Sequence, residues 1–335
     1  MHTSVMGARS SLFIKREYGN HTTVPVAIVG PAATIRPPLI LLDQYYNIIA
    51  ICLLGVGIMA STYNDQKTLG PQAANLIAEI HELGRVIFNL SDVERITGLS
   101  PKSARNFVAT LVRRGLVTRL KPGLFILVPF ELGREREYLG NPHVVARELA
   151  GGEDYYISHA SAMDLHRMVT QPQLVLYTSA TKPIRSRSVL GTEFRFVRCK
   201  PQALFGLIDH WVDKTEKVRV SDLERTIIDG LKHPAYCGGF SEVAKGFWMR
   251  RDDLRPKVLV DYALRLGVGS VIRRLGFLLE VCEVHAPDEI ARLRYGLTAT
   301  YHVLDPVLPP AGKFDSRWRL RLNVSPEEIK MLRRT

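Results

Sequence analysis

The chain has 335 residues, 46% of them hydrophobic and 23% charged, so it is an ordinary globular protein too long for one typical domain, and two or three domains are expected. Its net charge of +12 fits a polyanionic partner, nucleic acid or an anionic membrane, although a merely basic soluble protein is the simpler alternative. The 4 cysteines lie far apart, which argues against a disulfide framework or zinc knuckle and fits a reducing cytoplasm.

In the N-terminal extension, residues 1–58, the first 38 residues show no steady period, and the remainder runs into a stretch, 44–64, without any charge. That stretch has about the length of a membrane span, roughly 20 residues. Three interpretations are open: a single-pass membrane anchor, a buried or interfacial apolar helix, and upstream sequence translated from a misplaced start. The third is favoured, because Met59 begins a polar stretch that leads directly into the first periodic helix.

The next segment predicts two helices and a short strand. Apolar side chains recur at helical spacing from about 71 to 83, and residues 86–88 follow as a strand. Ser91 is expected to cap the second helix, with Glu94 three residues later completing a capping box. Gly98 ends that helix where the chain must turn sharply.

A third helix begins with Ser100 as N-cap and Pro101 at the first helical position. Its predicted buried stripe consists of Ala104, Phe107, Val108 and Leu111. The opposite face suits a DNA groove, because Arg and Lys can bind guanine edges and Asn can bind adenine. We assign to the groove Lys102, Ser103, Arg105 and Asn106, and to phosphate contact near the far end Arg113 and Arg114.

Residues 116–120 and 124–128 predict two wing strands around a Pro-Gly turn. Arg119 and Lys121 are placed at the wing tip, suited to backbone or minor-groove contact. Caps, stripe, turn and wing agree, so residues 70–130 predict a winged helix-turn-helix DNA-binding domain. The alternative is a winged helix used only for protein contact, its basic face solvated.

Beyond a charged joint, residues 141–335 predict a larger, mixed domain, which makes the fold class α+β. Strands are expected at 155–158, 174–178, 194–198 and 218–220, with a basic loop of Lys182, Arg185 and Arg187 between the second and third. Helices are expected at 142–149, 159–168, 222–231, 241–249, 254–266 and 270–282. In the tail, Arg317, Arg319 and Arg321 alternate, and in a strand they would share one face.

One group of side chains could suggest nucleophilic catalysis: Ser158, His159, Ser161, Asp164 and His166. Catalysis needs a nucleophile, a base and an orienting group within hydrogen-bond reach, a geometry that sequence neighbours rarely meet. Ser158 is therefore interpreted as a helix N-cap. No catalytic residue is assigned.

Metal and cofactor sites are not expected either. Ser221 or Asp222 is expected to cap a helix, and Arg225 and Asp229, four apart, to pair across one turn, with Asp229 as a metal ligand the weaker interpretation. Pro234 breaks any helix between His233 and Cys237. The chain has no Gly-rich phosphate loop followed by the required Lys and Ser or Thr.

Arg273 and Arg274 precede a strongly apolar run. One of them is expected to form an ion pair at the edge of the core, with Glu280 or Asp305 as partner. DNA contact is the second interpretation.

Several stretches behind the winged helix carry a family resemblance when they are taken in order. They are residues 156–162 (Tyr-Ile-Ser-His-Ala-Ser-Ala), 220–229 (Val-Ser-Asp-Leu-Glu-Arg-Thr-Ile-Ile-Asp), 273–280 (Arg-Arg-Leu-Gly-Phe-Leu-Leu-Glu) and 304–306 (Leu-Asp-Pro). From about Pro71 to the C-terminus the chain resembles an AbiEi-family antitoxin, the antitoxin half of type IV toxin–antitoxin systems. Residues 1–58 have no counterpart in that family.

The resemblance implies a cytoplasmic repressor that binds inverted repeats in its own promoter through the winged helix. It also implies a C-terminal domain that supports cooperative DNA binding, with copies associating on the DNA, and that counters a cognate nucleotidyltransferase-like toxin without needing to touch it. Two other functions stay open: a nucleic-acid-processing enzyme targeted by its winged helix, and a membrane-tethered DNA-binding regulator.

Overall fold

The computed structural model describes residues 67, 69–169, 174–214 and 216–331. Within these residues the chain is a mixed α+β structure with 11 α-helices and three β-sheets, which confirms the predicted fold class. The described residues belong to one compact unit, Asn64–Thr335. The predicted extension, 1–58, lies outside the described residues, as does the apolar stretch up to its end at residue 64.

The first elements have the order of a winged helix-turn-helix. They are α1 (Pro71–Glu82), β1 (Ile87–Asn89), α2 (Leu90–Thr97), α3 (Pro101–Arg113), β2 (Val117–Lys121) and β3 (Leu124–Leu127). The strands form an antiparallel sheet in the order β1-β3-β2. Each predicted helix and strand of this segment is present, with bounds that differ by a residue or two.

The capping box of α2 lies two residues before its predicted place. The Asn89 side chain accepts a hydrogen bond from the amide of Asp92, and the Asp92 carboxylate accepts one from the amide of Asn89, both at 2.9 Å. The prediction of Ser91 and Glu94 as the box was therefore wrong. Asp92 is held in this role because its carboxylate also lies 3.4 Å from the guanidinium of Arg85.

The sheet of the winged helix is covered on both faces. Phe125 and Leu127 of β3 pack into an apolar cluster with the three helices, including Leu76, Val108 and Leu111. Leu124 and Ile126, the alternate residues, pack into a second cluster with residues 144–149 and the following sheet. Because the strand period is two, one short strand supplies both cores.

A six-stranded mixed sheet follows. After α4 (Pro142–Ala150) come β4 (Tyr155–Ile157), α5 (His159–Leu165), β5 (Val175–Ala180), β6 (Arg187–Val189), β7 (Thr192–Arg198), β8 (Leu207–Trp211) and β9 (Lys217–Ser221). The strand order is β6-β7-β5-β4-β9-β8, so β6 and β8 are the edges. Neither edge strand was predicted from the sequence.

The remaining elements build a helical layer with a small sheet. They are α6 (Leu223–Lys232), α7 (Phe240–Met249), α8 (Pro256–Leu266), α9 (Gly269–Val281), α10 (Pro287–Tyr295), β10 (His302–Val303), β11 (Lys313–Asp315), β12 (Leu320–Leu322) and α11 (Pro326–Met331). Their core is a third apolar cluster that includes Trp318. The Trp318 ring lies directly on Gly276, and any Cβ at that position would overlap it.

Two expectations about arginines in this part were wrong. Arg274 forms no ion pair with Glu280 or Asp305; it donates to the carbonyl oxygens of Leu231, Val303 and Leu304 at 2.7–3.0 Å. The Glu280 carboxylate instead binds Arg317. Arg273 and Arg274 are both buried, which excludes the DNA contact considered for them.

The three tail arginines do not share a strand face. Arg317 precedes β12 and binds Glu280, whereas Arg319 and Arg321 stack on Tyr301 and Phe314. The strand in this region, β12, is only three residues long, so it is too short to contain all three arginines. Among the residues that the structure describes, no helix is both long and apolar enough to cross a membrane.

Candidate nucleic-acid interface

Helix α3 is positioned by its caps and its buried stripe. Ser100 is the N-cap, and its hydroxyl accepts a hydrogen bond from the amide of Ser103, as predicted. Ala104, Val108 and Leu111 are at most 1% exposed, and Phe107 is half-buried. With one face fixed against the core, the opposite face of the helix is directed outward.

The four residues assigned to the groove all lie on this outward face. Lys102, Ser103, Arg105 and Asn106 are exposed. Ser103 accepts a hydrogen bond from the Ser100 hydroxyl. The side chains of the other three make no hydrogen bond or ion pair with any described residue. Their donors and acceptors are therefore available to a ligand.

The two arginines at the far end of α3 are also exposed. Arg113 donates to the hydroxyl of Thr110 at 3.1 Å, a contact within one helical turn. Arg114 is the C-cap residue of the helix. Both lie at the opposite end of the helix from the residues assigned to the groove.

The two basic residues of the wing face in different directions. Arg119 pairs in register with Phe125, and Lys121 with Leu124, because the ladder shifts between them. Opposed residues in an antiparallel pair share a face, so Arg119 lies on the helix side and Lys121 on the side of α4. Arg119 is exposed, whereas Lys121 is half-buried.

Lys121 is engaged inside the protein. Its ammonium donates to the carbonyl oxygens of Glu148 and Leu149, at 3.3 and 3.1 Å, at the end of α4. Burial and, secondarily, the charge of Arg187 lower the pKa of Lys121. These bonds give Lys121 a structural role within the protein, which was not predicted from its position at the wing tip. Lys121 is therefore not among the proposed DNA contacts.

The wing turn is tied to the start of α2. The amide of Leu90 donates to the carbonyl oxygen of Gly123 at 3.3 Å. Gly123 has a φ of +81°, a left-handed conformation that favours glycine. The wing is consequently short and fixed rather than a free arm.

The candidate catalytic residues do not converge. Ser158 and His159 touch, with the Ser158 hydroxyl 2.8 Å from His159 Nδ1, but the Ser161 hydroxyl bonds the backbone of residues 175 and 177. His166 Nε2 lies 2.7 Å from the carbonyl oxygen of Ser221, and Asp164 is exposed. The Ser158 hydroxyl accepts from Ser179 rather than bonding an amide of α5, although Ser158 is the N-cap as predicted.

A second polar group is a buried structural network. Arg225 pairs with Asp229 across one turn of α6 at 3.0 Å, as predicted, and Tyr156 donates to Asp229 at 3.0 Å. Asp222, not Ser221, caps α6 by accepting from the amide of Arg225. Tyr156, Arg225 and Asp229 are each at most 3% exposed. Within the described part of the chain, no group of three or more His, Cys, Asp or Glu side chains is arranged to hold a metal ion.

Residues 75–128 match the family model described as a transcriptional regulator, AbiEi antitoxin. The match spans the winged helix and confirms the predicted resemblance over this segment. Among solved structures, the RV2827C protein from Mycobacterium tuberculosis is similar, with a TM-score of 0.55 at 15% identity over 76% of this chain and 92% of that one. That likeness concerns the fold alone. No curated protein sequence matches the chain.

Proposed function

From a winged helix that carries the AbiEi transcriptional-regulator match, we propose that this chain is the DNA-binding repressor and antitoxin of a type IV toxin–antitoxin system. In this proposal it binds inverted repeats in its own promoter in the cytoplasm, with copies associating on the DNA. Its C-terminal part counters a cognate nucleotidyltransferase-like toxin, without a requirement for direct contact.

The observation that carries the proposal is the outward face of α3. Lys102, Arg105 and Asn106 stand on a rigid helix with no partner among the described residues. Their donors match the base edges of guanine and adenine in a major groove. The start of the helix adds the amide of Lys102 and a positive dipole end, which suit a backbone phosphate.

The surroundings of this face support groove binding over protein contact. Arg113 and Arg114 at the far end of α3 and Arg119 on the wing are exposed cations, and phosphate contacts of this kind set the orientation of a protein on the duplex. A face used only for protein contact would be expected to carry aromatic or aliphatic side chains that become buried in the interface. The exposed face of α3 instead carries polar and charged side chains around the small Ala109.

The experiment is a two-part assay in cells. A reporter placed behind the chain's own promoter should be repressed by the wild type, and repression should be abolished in the double variant Arg105→Ala, Asn106→Ala. Co-expression with a cognate nucleotidyltransferase-like toxin should restore growth for the wild type and for the double variant, since neutralisation is assigned to the C-terminal part. Repression by the double variant at wild-type level would contradict the DNA half of the proposal. Failure of the wild type to restore growth would contradict the antitoxin half.

A further inference from the structure

The small sheet of β10, β12 and β11 carries aromatic and cationic side chains on its outer face. Arg321, in the central strand β12, pairs in register with Phe314 of β11 and with Val303 of β10. Cross-strand partners share a face, and Leu320, the residue before Arg321, is fully buried in the core of the helical layer. Arg321 and Phe314 therefore lie on the face away from that core.

Tyr301 and Arg319 extend this outer face by one position. The amide of His302 donates to the carbonyl oxygen of Arg319 at 3.0 Å, so the β10–β12 pairing reaches the residues just before both strands. The rings of Tyr301 and Phe314 meet edge to face, with their centroids 5.1 Å apart. The guanidinium of Arg319 lies 5.6 Å from the centre of the Tyr301 ring. That of Arg321 lies 5.4 Å from the centre of the Phe314 ring. We call these two rings and two arginines the aromatic–arginine platform.

The platform is open to solvent. The side chain of Phe314 is 63% exposed and that of Tyr301 is 37% exposed. A single exposed apolar residue is common on protein surfaces, whereas two rings in contact, each beside a guanidinium, form a contiguous surface. Because each ring keeps part of its surface in water, it has room to stack on a planar ligand.

The arginines of the platform are not neutralised by carboxylates. Arg321 makes no side-chain hydrogen bond or ion pair with any described residue, and its Nε is buried without a partner there. Within the same part of the chain, the Arg319 guanidinium donates to the Tyr301 hydroxyl alone, at 3.2 Å. Asp315, the last residue of β11, accepts from the backbone amide of Trp318 instead. The positive charge of both guanidinium groups is thus available to an external anion.

Exposed rings flanked by unpaired arginines match the chemistry of unpaired nucleotides. Bases without a pairing partner stack on aromatic side chains, and the phosphates between them bind neighbouring cations. A base pair inside a duplex has no free face, so the duplex assigned to α3 does not offer this surface a stacking partner. A protein partner would have to supply carboxylates for two arginines at once.

We propose that the aromatic–arginine platform binds a single-stranded stretch of nucleic acid, with one base stacked on Phe314 and adjacent phosphates on Arg319 and Arg321. The inference goes beyond the proposed function, because it assigns a second nucleic-acid site to the C-terminal part of the chain. It does not depend on duplex binding by α3. RNA and DNA strands share the chemistry that the platform recognises.

The test titrates the full chain against two fluorescent strands of about 12 nucleotides, a uridine RNA and a thymidine DNA, which separate the two sources of that chemistry. The wild type should bind at least one of them. Phe314→Ala should weaken this binding about 5- to 150-fold, the effect of losing one stacked base. Phe314→Trp, which keeps an aromatic face, should retain the binding.

The arginines are tested through the salt dependence of the same binding. Arg321→Gln and Arg319→Asn should each lower the slope of log affinity against log salt concentration by about 0.7, the value for one phosphate contact on a single strand. Asparagine is chosen at position 319 because Arg319 has a φ of +52°, a left-handed conformation that asparagine tolerates.

Trp211→Ala is the matched control. Trp211 is 57% exposed and lies 4.3 Å from the Lys217 ammonium, but it belongs to β8 of the six-stranded sheet. This variant should bind the single strands as the wild type does. Phe314→Ala should in turn leave the affinity for a random duplex of about 30 base pairs unchanged, which separates the platform from α3.

The inference is overturned if the wild type binds neither strand, or if Phe314→Ala binds both with wild-type affinity. An equal loss on the duplex would also overturn it, because the platform would then belong to the duplex site. Failure of the wild type to bind duplex alone would contradict the proposed function and leave this inference standing. Thermal unfolding checks the fold of each variant, and Arg321→Gln decides the question if Phe314→Ala unfolds.

Discussion

The ammonium of Lys121 lies 3.1 Å from the carbonyl oxygen of Leu149, and this hydrogen bond ties the wing to the C-terminal end of α4. The last carbonyl groups of a helix lack partners within the helix and carry its negative dipole end. A lysine from the wing therefore caps a helix that follows it by more than twenty residues. The winged helix and the sheet behind it are joined by this bond as well as by their shared apolar cluster.

Lys121→Met should consequently reduce stability more than DNA binding. Removal of the charge-assisted bonds to the carbonyls is expected to lower the free energy of unfolding by about 1 kcal/mol, since the site is only half-buried. Lys102→Met is the matched control, because Lys102 is exposed and without an intramolecular partner among the described residues. Urea unfolding and DNA titration of both variants check this. The opposite ranking, with Lys121 the more important for DNA, would return it to the residues of the wing that bind DNA.

The buried pair of Arg225 and Asp229 should be the most sensitive polar site in the sheet and helix layer. Asp229→Ala leaves a guanidinium that is 1% exposed without its carboxylate, which costs about 3–5 kcal/mol. Tyr156→Phe removes the hydrogen bond to the same carboxylate and the one that the hydroxyl accepts from Arg225, and should cost about 2 kcal/mol.

The exposed pair of Arg292 and Asp261, 2.7 Å apart, provides the control for that comparison. Asp261→Ala should change the free energy of unfolding by at most about 1 kcal/mol, because water screens an exposed ion pair. Chemical unfolding of the three variants gives the ranking. Equal effects for Asp229→Ala and Asp261→Ala would show that burial does not govern these pairs.

Acid should destabilise the protein through His159. Burial, with smaller effects of His233, Lys232 and Arg225, lowers its pKa to about 4, although Asp229 acts in the opposite direction. In the unfolded chain a histidine titrates near about 6.5, so between these values only the unfolded state binds the proton. The stability that a neutral His159 preserves is thus complete above about pH 6.5 and decreases as the pH falls toward about 4.

His159→Asn isolates this effect. The residue has a φ of +53°, and asparagine tolerates that left-handed conformation better than most residues. Between about pH 7 and about pH 5 the wild type should lose about 2 kcal/mol more than the variant, measured by urea unfolding at each pH. Burial and the charge of His210 also lower the pKa of His143 to about 4. Because His143 is present in both proteins, its contribution to the pH dependence cancels in the comparison. Identical pH dependence in the two proteins would contradict this account of His159.

Local sequence signals were sufficient for the winged helix. Ser100, Pro101 and the buried stripe of α3 depend on neighbours within a few residues, and so they could be predicted without tertiary information. The capping box of α2 could not be placed, because Asn89–Asp92 and Ser91–Glu94 have the same spacing. The choice depends on the end of β1 and on Arg85, which binds Asp92.

Interactions between distant segments account for the other differences. Lys121 changes face because of an irregularity in the β2–β3 ladder, for which the sequence contains no distinct signal. Arg274 binds backbone carbonyl oxygens of Leu231, Val303 and Leu304, and any residue type offers such an acceptor.

The central claim, that α3 distinguishes one DNA sequence from another, is tested most directly by a binding competition. Operator DNA, taken from the chain's own promoter, competes with random-sequence duplex for the full chain at fixed salt. Arg105→Ala and Asn106→Ala should each reduce the preference for operator over random duplex by about 1–3 kcal/mol, the energy of one bidentate contact between a side chain and a base edge. The affinity for random duplex should change less. Equal reductions on operator and random DNA would contradict base recognition by these two residues.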